Sequence, residues 1–193
     1  MEQHTVTVYC ASSDRLDPVY VNAAYELGEA LALAGARLVT GGGKTGLMEA
    51  VERGALAHGG TAIGVIPQFM VDRGWHNTAL SQLEIVPDMH TRKATMARLS
   101  TASIALPGGI GTFEELMEIL TWRQLGLYDG NIVIYNVNGY YDPMLEMLER
   151  CIEQGFMPAK YRSLYAVATG VEQAVKYALS EPSHETFPTK FNA

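Results

Sequence analysis

Hydrophobic residues follow two alternating patterns along the chain. Short, nearly continuous apolar runs lie at Thr5–Cys10, Arg37–Thr40, Ala62–Ile66, Leu83–Val86, Ser103–Leu106, Ile132–Tyr135 and Leu164–Val167. Each ends close to Gly, Pro, Asp or Ser. Longer segments near 19–34, 46–57, 89–100, 113–127, 142–154 and 171–179 read as helices. Apolar runs without polar alternation suit strands covered on both faces. The alternation predicts an α/β fold: a mostly parallel sheet with helices on both faces and right-handed crossovers. No repeat or low-complexity linker interrupts residues 1–180, which read as a single domain. Residues 181–193, with Pro182, His184 and Pro188, read as an irregular tail.

Composition narrows the function. The chain has 193 residues, with 14 Lys+Arg against 21 Asp+Glu, a formal charge of −7. Such an acidic balance argues against binding a nucleic-acid polymer, which needs clustered positive charge. It leaves room for one small anion in a local basic pocket. Hydrophobic residues at 48% and charged residues at 18% exclude a disordered chain. The two cysteines, Cys10 and Cys151, have no metal-like spacing, so no metal site is expected. No apolar stretch approaches the roughly 18 residues that span a membrane, and the N-terminus lacks the pattern of a signal peptide. The expectation is a cytoplasmic protein with reduced thiols.

Ligands of parallel sheets bind at the carboxyl ends of the strands. Four loops leave strand ends there: Ala11-Ser12-Ser13, Gly41-Gly42-Gly43, Pro67-Gln68 and Pro107-Gly108-Gly109-Ile110-Gly111-Thr112. Gly43-Lys44-Thr45 looks like the end of a Walker A loop, but the required earlier glycine is Leu38, inside a strand. The loop at 107–112 is the sharper signal, because it follows an apolar strand and opens a helix. Helix N-termini carry unpaired N–H groups and bind phosphate, and glycines let the anion approach. Thr112 could add a hydroxyl donor.

Thr112-Phe113-Glu114-Glu115 also reads as a capping box, with Thr112 as the N-cap and Glu115 reaching back to it. Against that reading, Glu115 shares a helical face with Ile119 and Trp122. An enclosed carboxylate is costly without a compensating partner. Arg92, on the stripe of Met89, Met96 and Leu99, is the candidate partner; its bland alternative is a stem covering apolar surface with its head in water. His90 reads as a surface group, and the nine methionines as core filler. Tyr140-Tyr141, after Asn138-Gly139, reads as a turn followed by helix anchors.

Together these segments resemble the LOG-type cytokinin riboside 5′-monophosphate phosphoribohydrolases, a family also catalogued as lysine decarboxylases. The family's P-G-G-x-G-T-x-x-E is Pro107–Glu115, and its M-H-x-R-K is Met89–Lys93. The likeness continues through Gly41–Met48, Gly64–Pro67, Thr121–Gly126 and Asn138–Tyr141. It implies a Rossmann-like, doubly wound fold, a homodimer and no cofactor. It also implies hydrolysis of the N-glycosidic bond of a nucleoside 5′-monophosphate, either AMP or an N6-substituted AMP, to free base and ribose 5-phosphate. By the same resemblance Arg92 and Glu115 are the catalytic pair. Gly108, Gly109, Ile110, Gly111 and Thr112 hold phosphate and ribose, and Lys93, Thr121, Ser12, Gly43 and Met48 complete the substrate-binding set. The chain departs from the family at Ala11 and Glu49, where Gly is usual, and near Gly74-Trp75, where many members carry an acid.

Two other readings stay open at this level. A non-catalytic nucleotide-binding module would keep the glycine loops without needing Glu115. A decarboxylase would need pyridoxal phosphate on a lysine with an acidic partner, and Lys44 and Lys93 lack that pattern.

Overall fold

The computed structural model describes residues 3–182. Strands β1 (Thr5–Tyr9), β2 (Arg37–Thr40), β3 (Ala62–Pro67), β4 (Gln82–Val86), β5 (Ala102–Ala105), β6 (Asn131–Tyr135) and β7 (Ala166–Ala168) form one sheet. Its order is β4-β3-β2-β1-β5-β6-β7, and every neighbouring pair is parallel. The helices are α1 (Pro18–Leu33), α2 (Gly46–Ala57), α3 (Gln68–Asp72), α4 (Met89–Leu99), α5 (Ile110–Gln124), α6 (Asp142–Glu153) and α7 (Val171–Leu179).

Strand alternation sends side chains to both faces, and each face has its own apolar layer. Val6 and Val8 of β1 join Leu27 and Leu31 of α1, Val51 of α2 and Ala174 of α7. Tyr9 joins Met96 of α4 and Leu116 and Ile119 of α5 on the other face. Helices α1 and α2 touch backbone to backbone. A Cβ at Gly28 would lie 2.0 Å from the Val51 carbonyl oxygen, and one at Gly54 would lie 2.1 Å from that of Tyr25.

Two features of the topology position the site. The chain builds β1 to β4 outward in one direction, then returns to place β5 on the other side of β1. The order reverses between β1 and β5, and such reversals open a crevice at the carboxyl edge. The return is made by α4, which packs across β4, β3, β2 and β1 on its way to β5. A residue that follows an edge strand in sequence is thereby carried over the middle of the sheet.

Several boundaries differ from the sequence reading. Helix α5 starts at Ile110 rather than near 113, with Gly109 as N-cap and no side-chain cap. The last strand is Ala166–Ala168, and Leu164 ends a 3₁₀ turn, Ala159–Leu164. The short helix α3 follows the chain's Pro67 N-cap, where a loop was expected. Of the expected irregular tail, residues 183–193 lie outside the described residues. No helix among the described residues is long and apolar enough to cross a membrane.

Candidate active site

A cavity of about 610 Å³ opens at the carboxyl edge of the sheet, around the ends of β3, β2, β1 and β5. Its wall on the β5 side is the loop from Pro107 into α5. The carbonyls of this loop are all engaged, three of them from outside and that of Gly109 by the first turn of α5. Tyr141 Oη donates to Leu106 O at 2.7 Å, Ala11 N to Pro107 O at 3.1 Å, Tyr140 Oη to Gly108 O at 2.5 Å, and Phe113 N to Gly109 O at 3.1 Å. With its carbonyls tied back, the loop presents the opening amides of Ile110, Gly111 and Thr112 at the cavity edge, where helix N–H groups have no acceptor in the preceding turn. A Cβ at Gly109 or Gly111 would meet no protein atom within 4 Å. The space they leave is therefore open to a ligand, and the positive end of the α5 dipole favours an anion there.

The capping-box reading of Thr112–Glu115 does not hold. Thr112 sits inside the first turn, 3% exposed, and lines the cavity beside the amides. A Cβ at Gly108 would lie 2.1 Å from Thr112 Oγ1, so Gly108 is small to let that threonine tuck in.

The opposite glycine loop has another purpose. A Cβ at Gly41 would lie 1.8 Å from Arg92 Nη2, so glycine there admits the arginine. Arg92 is 7% exposed. Its Nε donates to Val65 O at 2.9 Å and its Nη2 to Gly41 O at 2.8 Å. The side chain is thus clamped by two carbonyls at the ends of β3 and β2, with Nη1 3.8 Å from Met89 Sδ, and Arg92 lines the cavity. Burial pulls its pKa below the ordinary value, and the Glu115 carboxylate opposes that shift. Gly43 N lies 2.9 Å from Met48 Sδ, and both residues line the cavity.

Glu115 lines the same cavity from the second turn of α5. Burial lifts its pKa to about 7, while the Arg92 charge acts in the opposite sense. The expected direct partnership is not present: no ion pair joins Arg92 and Glu115 among the described residues. They act on each other across the cavity. An acid poised near neutrality beside a fixed cation is what proton transfer or cation stabilisation at physiological pH requires.

The remaining expected residues divide. Ser12 lines the cavity at the end of β1. Lys93 does not: its ammonium binds Glu114 and, at 3.1 Å, Glu118 of α5. Burial disfavours its charge, but these carboxylates outweigh burial and raise its pKa. Thr121 is exposed and donates to Met117 O at 2.7 Å on its own helix, away from the cavity. Sequence reasoning did not place Cys10, Thr45, Ile66 and Met70 in the site, and it marked Trp75 only as lying near a departure from the family; all five line the cavity. Cys10 and Ile66 lie at strand ends, whereas Thr45 reaches the cavity from the N-cap of α2, Met70 from α3 and Trp75 from the turn after it.

The N-terminus of α2 offers no second anion site. Its first amides are taken, with Leu47 N at 3.0 Å and Met48 N at 3.3 Å from Ala11 O.

Comparison with known proteins places the chain in a family. A family model described as "Possible lysine decarboxylase" matches residues 48–178. The chain is 41% identical over 187 residues to cytokinin riboside 5′-monophosphate phosphoribohydrolase LOG4 of Arabidopsis thaliana, covering 96% of this chain and 86% of that one. It is 42% identical over 173 residues to the cytokinin riboside 5′-monophosphate phosphoribohydrolase of Rhodococcoides fascians, covering 89% and 87%. The chain belongs to the LOG family. The LOG fold is shared more widely. The molybdenum cofactor binding protein of Rippkaea orientalis superposes with a TM-score of 0.70 at 21% identity, covering 91% of this chain and 95% of that one, a likeness of fold alone.

The decarboxylase description does not suit this LOG member's cavity. Among the described residues no lysine lines it, so an aldehyde cofactor would find no amine there for a Schiff base. Lys44 is exposed and Lys93 is engaged by two glutamates.

Proposed function

We propose that this protein hydrolyses the N-glycosidic bond of a nucleoside 5′-monophosphate, AMP or an N6-substituted AMP, giving free base and ribose 5-phosphate. The observation that carries the proposal is one cavity holding three things together: an open helix N-terminus, a clamped guanidinium and a carboxyl group poised near pH 7.

The chemistry follows from that arrangement. The phosphate binds the α5 amides and the Thr112 hydroxyl. Binding there fixes the far C1′–N bond against Glu115 and uses phosphate affinity to orient the reacting bond. As the bond lengthens, ribose gains oxocarbenium character. Ionised Glu115 stabilises that positive charge, holds the ribose hydroxyls and orients the attacking water. Arg92, held at the ends of β2 and β3, assists the leaving base. The water adds to C1′, its proton is released, and the base leaves with the bonding electron pair and takes up a proton.

The proposal extends to a homodimer in the cytoplasm. The family likeness supports the dimer, and two free cysteines, Cys10 and Cys151, suit a reducing compartment. Residues 1–180 are proposed to act as one nucleotide-binding unit.

The test is to incubate purified protein with AMP, N6-isopentenyl-AMP and the matching nucleosides, and to follow free base by chromatography. Base from the monophosphates alone is the expected result. Bound monophosphate with no base released would leave a binding protein instead.

A further inference from the structure

Glu115 is flanked on its own helix by two more acids. Glu114 precedes it, and Glu118 follows three residues later. Side chains three apart on a helix are neighbours. Two carboxylates this close oppose the ionisation of a third. Hydrolysis requires Glu115 to be ionised, yet neither flanking acid takes part in it.

Lys93 of α4 meets both of them. Its ammonium donates to Glu114 Oε1 and, at 3.1 Å, to Glu118 Oε1. The lysine is 8% exposed, so its charge is held in place and poorly screened. Tyr9, Lys93, Ala97, Glu115, Glu118 and Trp122 line one narrow gap between α4 and α5. Glu115 therefore borders the substrate cavity and this gap as well, and the ammonium borders the gap alone.

Few other groups face Glu115. Arg92 and Lys93 come from α4, Glu114 and Glu118 from α5, Tyr9 and Cys10 from β1 and its end, and Tyr141 from the turn before α6. Burial pushes the two phenols and the thiol above their ordinary values, so they stay neutral near pH 7. The charge balance at Glu115 is left to two cations and two acids.

We propose that Lys93 is a positioning residue for the hydrolysis, acting through Glu115: by neutralising Glu114 and Glu118 it sets the pH range in which Glu115 is ionised. The inference rests on the hydrolase reading and gives Lys93 a role other than contact with substrate. Without the ammonium, two uncompensated carboxylates would stand beside Glu115, and the acid would keep its proton to higher pH.

The test compares the wild-type protein with Lys93→Met, which keeps an apolar stem and drops the charge, with Glu118→Gln, and with the double variant. Two quantities are followed across the neutral range. One is kcat for base release from AMP. The other is the carboxyl titration of Glu115 in ligand-free protein carrying isotope-labelled glutamate, its NMR signal assigned through Glu115→Gln. Lys93→Met is expected to raise the midpoint by about one pH unit. From a midpoint of about 7, that is about a fivefold loss of kcat at pH 7, recovered at higher pH. Glu118→Gln should lower the midpoint, and the double variant should return it close to wild type. Loss of activity at every pH with an unmoved midpoint would overturn the proposal in favour of a structural role. A raised KM and weaker ribose 5-phosphate binding with an unmoved midpoint would overturn it in favour of substrate contact. Should Lys93→Met fail to fold, the downward shift in Glu118→Gln decides: its absence overturns the proposal. If wild-type protein releases no base, the hydrolase reading falls, and the carboxyl titration still decides whether Lys93 governs Glu115.

Discussion

Two glycine loops face each other across one cavity, and they are glycine-rich for opposite reasons. At 41–43 the missing side chains make room for the protein itself: Arg92 fills the space beside Gly41, and the Met48 sulfur lies 3.0 Å from where a Gly43 Cβ would be. At 109 and 111 the missing side chains make room for nothing in the protein. Glycine content alone does not distinguish a packing solution from a binding solution. What distinguishes them is whether the vacated volume is occupied by the chain.

The sharpest way to break this comparison is through the acid between the loops. Glu115→Gln is expected to fold normally and to lose about 10²–10⁴ in turnover, measured as base release under saturating substrate. Turnover close to wild type would remove Glu115 from the mechanism. Next come the loops themselves. Gly41→Ala collides with the Arg92 guanidinium and should cost about 1–3 kcal/mol in denaturant unfolding, with activity lost as the arginine is displaced. Gly111→Ala should leave stability unchanged or raise it by up to about 1 kcal/mol, since alanine suits a helix better than glycine. Its added methyl would instead weaken nucleotide binding. If both variants lose stability alike, the two loops are not different in kind.

The pH dependence separates the site from its support. If ionised Glu115 acts in the reaction, turnover falls as pH drops through about 7, and the fall is absent in whatever activity Glu115→Gln retains. Stability should move the other way. Burial lifts Glu52 from 4.5 to about 7 against the hydrogen bonds from Thr40 and Asn77, so its neutral form stabilises the fold below about pH 4.5. That contribution, about 3 kcal/mol, is lost as pH rises through about 7. Melting temperatures of wild type and Glu52→Gln across pH 5 to 8 would show it as a flatter profile in the variant. Low-pH inactivation without destabilisation would tie the activity loss to the site.

The smallest expected effect is at Tyr140→Phe, which removes the hydroxyl bond to Gly108 O. A loss of about 0.5–1.5 kcal/mol in stability is expected. KM should rise more than kcat falls, because the loop presents its amides less firmly. A change in kcat alone would argue that the hydroxyl does more than hold the loop.

The alternation of apolar runs and helical segments by itself determined the layered sheet, because strand and helix periods are local properties of sequence. The order Pro-Gly-Gly-Ile-Gly-Thr after an apolar strand likewise marked an open helix start at the cavity, and the stripe Glu115, Ile119, Trp122 marked an enclosed acid. Tertiary structure decided what those residues bind. Arg92 is held by carbonyls 27 and 51 residues away in sequence, so no local pattern could name its partners. Lys93, its immediate neighbour, is turned by one helical step to the carboxylates of α5 and leaves the cavity. Thr112 looked like a cap because the carbonyls that fix the loop are bound by Ala11, Tyr140 and Tyr141, whose distant contacts let α5 begin at Ile110. Trp75 reached the site because β3 and β2 are neighbours and the segment after α3 pairs with the glycine loop. Local periodicity is encoded over a few residues, whereas a cavity wall is assembled from strand ends that only the sheet order brings together.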